Sequence, residues 1–229
     1  MNRHNERSSG AVPCAVLWDV DGTLLDSADY HWLAWRETMA AEGFDLSRER
    51  FVASFGWRND AILRDWVGPD LVDAEIARIG DLKEARYREL MREGGVKPLP
   101  GVRRWLERLH AAGWRQAVAS SAPRLNVEAI LEAMELMPFF AAITSAEDVQ
   151  RGKPDPQVFL VAAEKLAVPP DRCIVVEDAP AGVEGGRRAG MRTIGVLSSH
   201  PELDADVVVR MLSELPDDAF DRLLERSAI

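Results

Sequence analysis

The sequence predicts an α/β fold: a doubly wound, parallel-sheet (Rossmann-like) core carrying an inserted all-helical domain. Three observations predict it. Four short runs, residues 14–19, 115–120, 172–177 and 192–197, are apolar on both faces and read as buried parallel strands. Stretches with apolar residues at three- and four-residue spacings alternate with them. Between residues 27 and 95 that alternation stops and only helical stretches remain.

Taken in order, the first strand ends in Asp19-Val20-Asp21-Gly22, which places two acids in the loop at its carboxyl end. The insertion then shows helical stretches over 30–41, 59–66 and 71–92, separated by Gly43, Gly56 and Gly68-Pro69. It leaves through the stiff linker Lys97-Pro98-Leu99-Pro100-Gly101. The expected division is therefore a core of residues 1–26 plus 98–229 and a helical domain of residues 27–97. Beyond the linker, Val102, Leu106 and Leu109 mark one helix, and Val127, Ile130, Leu131 and Met134 the next. Val158, Val161, Ala162 and Leu166 mark a third. Residues 141–144 form a weaker fifth strand and residues 206–209 an edge strand.

Composition narrows the function. Apolar residues make up 47% of the 229-residue chain and the net charge is -10, with no basic run that would overcome this field at a nucleic acid. Residues 1–12 are polar and lack the apolar stretch of a secretory signal, and no run is long enough to span a bilayer. A cytoplasmic enzyme is expected, with no nucleic-acid or membrane partner and a monomeric state by default. Cys14 and Cys173 each start an apolar run and read as small buried residues rather than a disulfide or metal pair.

The chemistry gathers at strand ends. Asp19 and Asp21 repel each other unless a cation or proton is shared, and a hard cation such as Mg²⁺ would neutralise both them and a phosphate. Alone, such a pair reads more readily as a solvated acidic turn. Glu177-Asp178 ends another buried strand, so the sheet can bring it beside the first pair and complete an all-oxygen cation site. Ser120 precedes a helix start and suits either a phosphate or an ordinary N-cap. Lys153, in Gly152-Lys-Pro-Asp-Pro, lacks the glycine spacing and following Ser/Thr of a nucleotide-binding loop, but in company with four carboxylates it can balance charge.

In this order, Asp19-Val-Asp21-Gly-Thr, Ser120, Lys153 and Glu177-Asp178 resemble the four motifs of the haloacid dehalogenase-like superfamily. The helical insertion is similar to the small cap of its beta-phosphoglucomutase-like branch. The resemblance implies Asp19 as nucleophile and Asp21 as general acid and base. It implies Mg²⁺ held by Glu177, Asp178, a carboxylate oxygen of Asp19 and the Val20 carbonyl, with Asp21 as a further candidate ligand, and Ser120 and Lys153 on the phosphoryl group. It also makes His31, Arg58 and Lys83 of the cap, and Arg124, candidates for binding a phosphorylated sugar. Where the mutase carries Ser and Lys after its second motif, this chain has Ala122 and Pro123, which offer neither a hydroxyl nor an N–H. The expectation is a Mg²⁺-dependent phosphatase acting on a small phosphorylated metabolite, a sugar or polyol phosphate, through an aspartyl-phosphate; a hexose phosphate isomerase of the beta-phosphoglucomutase type is the alternative.

Overall fold

In the computed structural model, residues 13–225 are described, so the polar segment 1–12 lies outside the described residues. Six strands form one parallel sheet: β1 (Ala15–Trp18), β2 (Arg115–Ala119), β3 (Ala142–Thr144), β4 (Cys173–Glu177), β5 (Arg192–Val196) and β6 (Val207–Val209). Their order is β3-β2-β1-β4-β5-β6, the doubly wound α/β arrangement that the alternating pattern predicts. The chain runs outward from β1 through β2 to β3, then returns to the other side of β1 for β4, so the order reverses between β1 and β4. Ligands bind at such a reversal, beyond the carboxyl ends of the strands.

Each strand's period-two alternation feeds two cores. Val16 and Trp18 face a layer built with Trp105, Leu106 and Phe220, while Ala15 and Leu17 face Phe159 and Ala162. A polar intrusion beside β1 is satisfied: Trp18 Nε1 donates to Gln116 Oε1 at 3.1 Å, and Gln116 Nε2 donates to the Leu106 carbonyl. β1 stops at Trp18, one residue before the expected end, although the Asp19 N–H still donates to the Val176 carbonyl at 3.0 Å.

Between β1 and β2 lie α1 (Ala28–Ala41), α2 (Arg48–Ser54), α3 (Asn59–Trp66), α4 (Asp73–Gly94) and α5 (Val102–Ala111). α6 (Arg124–Ala133), α7 (Gln157–Leu166), α8 (Pro180–Arg188) and α9 (Ala219–Glu225) follow. α1 to α4 enclose their own apolar cluster, with Trp35 and Trp66 edge to face at 5.1 Å beside Phe51, Leu63 and Ile79. Trp57 stays outside it, 40% exposed. α2 escapes the periodicity because only Phe51 and Ser54 of its seven residues are buried; Ser47 caps it by accepting from the Arg50 N–H.

The two strands of chain that join this helical layer to the sheet run side by side. Leu25 bridges Pro98, and the Leu99 N–H donates to the Leu24 carbonyl at 2.9 Å. On the far side, Arg58 Nη1 reaches across to the carbonyls of Ala146 and Val149, at 3.1 and 2.9 Å. No helix among the described residues is long and apolar enough to cross a membrane.

Candidate active site

The register that pairs Trp18 with Val118 on one side and Val176 on the other sets the next residues of three strands next to one another. Asp19, Ser120 and Glu177-Asp178 thus line one cleft, whose opposite wall is helical: His31, Trp35, Phe51, Phe55, Asn59 and Lys83. Lys153 enters from the loop before α7. Its Nζ donates to Asp19 Oδ1 and Glu177 Oε1, both at 2.6 Å, and its side chain is 3% exposed.

Asp19, Glu177 and Asp178 each offer a carboxylate oxygen within 4.8 Å of the others. With all three carboxylates ionised against one ammonium, two surplus negative charges would stand at buried positions. Burial and the neighbouring charges of Glu177 and Asp21 raise the Asp19 carboxyl to about 8, against the pull of Lys153. Burial, Glu177 and Asp19 likewise push Asp178 well above the carboxylate range. Asp178 Oδ1 accepts from Thr23 at 3.4 Å, while Oδ2 is buried without a hydrogen-bond partner. A hard divalent cation fits this donor set: it would occupy the orphaned oxygen and offset the surplus charge. Two glycines keep the carboxylates in place. Gly22 has φ +84°, and a Cβ there would stand 2.0 Å from Asp178 Oδ2; a Cβ on Gly182 would stand 1.8 Å from Glu177 Oε1.

Two of the expected cation ligands are arranged differently. The Val20 carbonyl accepts the N–H groups of Thr23 and Leu24, at 3.2 and 2.8 Å, so the turn after β1 takes up the oxygen that was expected to face a cation. Asp21 does not join the carboxylate cluster, because its Oδ1 is turned to the helical wall. There it accepts from Ser27 at 2.6 Å, His31 Nε2 at 2.9 Å and Tyr87 at 3.1 Å. Burial raises the Asp21 carboxyl, but the pull of His31, the hydrogen bonds from His31 and Ser27 and the charge of Lys83 hold it far below its usual range.

The other candidates divide. Ser120 is buried at the cleft floor, its Oγ accepting the Ala122 N–H at 3.0 Å. His31 is buried and stacks on Tyr87 with ring centroids 3.9 Å apart. Lys83 faces the cleft but is occupied: Nζ donates to His31 Nδ1 and to Glu84 Oε1, each at 2.8 Å. Arg58 is held outside the cleft by the two loop carbonyls named above and by Asp60. Arg124 is drawn away too, donating to Asp148 Oδ2 at 2.6 Å. Ser27, Tyr87, Glu84 and Asn126 escaped the sequence reading; Tyr87 carried a signal, since it lies one helical turn beyond Lys83 on the same face.

Asp148 is itself a cap. It accepts from the Ser145 N–H at 2.8 Å and pairs with Lys165 at 2.9 Å; burial would raise it, but these donors hold it at about 2, below the ordinary 3.8. A carboxyl depressed in the folded state stabilises fully above its unfolded pKa and loses that contribution as pH falls through the folded value. Asp148→Asn is therefore expected to cost about 1–2 kcal/mol at neutral pH, and the gap to the unsubstituted protein to shrink between about pH 5 and pH 2. Urea midpoints across that range measure it, and a gap independent of pH contradicts it.

Known proteins of similar sequence and fold identify the family. The family model for haloacid dehalogenase-like hydrolases matches residues 16–196. Beta-phosphoglucomutase from Bacillus subtilis (strain 168) is 34% identical over 212 residues, covering 88% of this chain and 91% of that one. Hexitol phosphatase B from Escherichia coli (strain K12) is 33% identical, covering 88% and 93%. The crystal structure of CbbY from Rhodobacter sphaeroides in complex with xylulose-(1,5)bisphosphate superimposes with a TM-score of 0.80 at 30% identity, covering 90% of this chain and 96% of that one. The chain belongs to the haloacid dehalogenase-like hydrolases.

Proposed function

We propose that this protein is a Mg²⁺-dependent phosphatase acting on a small sugar or polyol monophosphate through an aspartyl-phosphate on Asp19. The observation that carries the reading is the buried knot of Asp19, Glu177 and Lys153, with Asp178 Oδ2 unpartnered beside it. The cation would be held by Asp19, Glu177 and Asp178, where it supplies charge neutralisation to the transferring phosphoryl group.

The Asp19 carboxylate attacks phosphorus, and the bond from phosphorus to the ester oxygen breaks. Asp21, in its protonated form, gives its proton to that oxygen. Water then attacks the phosphorus of the phospho-Asp19, Asp21 takes the water's proton, and phosphate leaves as the bond to Asp19 breaks. Ser27, His31 and Tyr87 around Asp21 favour its carboxylate form, which suits the second step, and the proton that Asp21 takes from water in one turnover is the one it gives to the ester oxygen in the next. Lys153 and Ser120 hold the phosphoryl oxygens. The division into a core of 1–26 plus 98–229 and a cap of 27–97 lets the helical layer choose the substrate while the sheet does the chemistry.

Hydrolysis is favoured over isomerisation because a mutase must hold a second phosphate. Among the candidates for that role, Arg58 and Arg124 are held away from the cleft by core carbonyls and Asp148, Lys83 is engaged by His31 and Glu84, and Ala122-Pro123 offer no donor side chain. The wall instead mixes Ser54 and Asn59 with Phe51, Phe55 and Trp57, a surface suited to a neutral polyol. Both cysteines are unpaired, which fits a reducing, cytoplasmic setting.

The test follows free phosphate and isomer formation together on hexose and hexitol monophosphates, with Mg²⁺ and with chelator. Phosphate release that stops with chelator is expected. Accumulation of an isomer without phosphate release would make it a mutase. Gly182→Ala provides a separate check: alanine suits α8, but its Cβ displaces Glu177 and with it Lys153. Turnover should fall about 10²-fold with the fold intact, since small misplacements cost that much, and an unchanged rate would show that Glu177 does not set Lys153.

A further inference from the structure

We propose that Asn126 is a positioning residue: from α6 of the sheet domain it clasps Glu84 and Arg88 of α4, and so couples docking of the helical layer to the alignment of Asp21. The proposal rests on the acid and base role given to Asp21 above.

Asn126 is fully buried on the apolar face of α6, beside Val127 and Ile130. An amide in such a place costs stability unless both of its halves are hydrogen-bonded. Both partners come from α4. Asn126 Nδ2 donates to Glu84 Oε2, and Arg88 Nη1 donates to Asn126 Oδ1 at 2.7 Å. The orientation of the amide follows from chemistry, because a carboxylate only accepts and a guanidinium only donates. An aspartate here would repel Glu84, and a leucine could satisfy neither partner.

From Glu84 the line continues without a gap. Its Oε1 accepts from Asn59 and from Lys83, each at 2.8 Å, and Lys83 Nζ meets His31 Nδ1 at 2.8 Å. An ammonium has no lone pair, so Nδ1 is the acceptor and the ring proton sits on Nε2, aimed at Asp21 Oδ1 2.9 Å away. The tautomer that serves Asp21 is thus set by Lys83, Lys83 is held by Glu84, and Glu84 is anchored on the sheet domain by Asn126. Lifting the helical layer off α6 would break that anchor, so the line is complete only while the layer is docked on α6.

The test compares kcat/KM of Asn126→Leu and of the unsubstituted protein on two esters. A hexitol phosphate needs its leaving oxygen protonated, whereas p-nitrophenyl phosphate leaves without that help. A residue acting through Asp21 should lower the first by about tenfold or more and the second much less. Equal losses on both esters, or none, overturn the proposal. Arg88→Met, at a half-buried position, repeats the comparison with less risk to folding and should give the same asymmetry. If the unsubstituted protein hydrolyses neither ester, the phosphatase reading fails, and hydrogen exchange decides the clasp by itself. In Asn126→Leu the amides of residues 83–88 and those around His31 should then exchange several-fold faster while β1 and β4 do not, and unchanged exchange overturns it.

Discussion

Asp19→Asn should reduce phosphate release by about 10³-fold or more while the protein stays folded. The amide has the shape of the carboxylate but neither the charge nor the nucleophilicity, and neither Asp21 nor Glu177 is free to replace it. Asp21 Oδ1 is tied to Ser27, His31 and Tyr87, and both Glu177 oxygens are engaged, Oε1 by Lys153 and Oε2 by the N–H groups of Asp178 and Ala179 at 2.9 Å. Folding should survive because the substitution removes one buried negative charge from a cluster that has too many. In metal-free buffer the thermal midpoint should hold or rise, and the stabilisation gained from added Mg²⁺ should shrink. Turnover within tenfold of the unsubstituted protein would remove Asp19 from the chemistry.

Lys153→Met is the second large effect, and it reaches stability as well as rate. Among the described residues the ammonium is the one cation paired with Asp19 and Glu177, and it is buried with them. Breaking such a pair leaves uncompensated charge in a dry site, at a cost of about 3–5 kcal/mol. The remaining carboxylates would take up protons more readily, so the loss should be greatest at high pH and smaller in mild acid. Added Mg²⁺ should restore part of the stability by mass action on the folded state. It should not restore the rate, since a phosphoryl oxygen would still lack its donor, and turnover should stay down by about 10²–10³-fold. Denaturant midpoints with and without Mg²⁺, set beside initial rates, separate the two consequences. A variant as stable as its parent in metal-free buffer would contradict the charge balance described for this site.

What could be read along the chain follows from how local each determinant is. β1 was legible because Ala15 to Trp18 are apolar toward both faces, and the acids that follow it have no place inside a strand. The switch point between β1 and β4 follows from strand alternation, and it predicts that Asp19 and Glu177-Asp178 meet. Arg58 and Arg124 could not be read in this way. Their distant partners are carbonyls and an aspartate in residues 143–149, and a long flexible cation gives no sign of which distant acceptor it will find. The hydrogen bonds of the Val20 carbonyl were not legible for a different reason: strand-end position was considered, but not the turn from Val20 to Leu25 that engages the oxygen. Asn126 carried a faint signal, a polar residue at a core-facing position in a helix, which becomes meaningful only once Glu84 and Arg88 are known to lie opposite.

The account stands or falls on a covalent phosphate at Asp19. The direct measurement is acid quench of the protein during turnover, borohydride reduction, and mass spectrometry of the peptide containing residues 19–21. An acyl phosphate is reduced to the alcohol, so the predicted result is homoserine at position 19, present only with substrate and absent in Asp19→Asn. Steady turnover of a phosphate ester with an unmodified Asp19 under the same quench would contradict it.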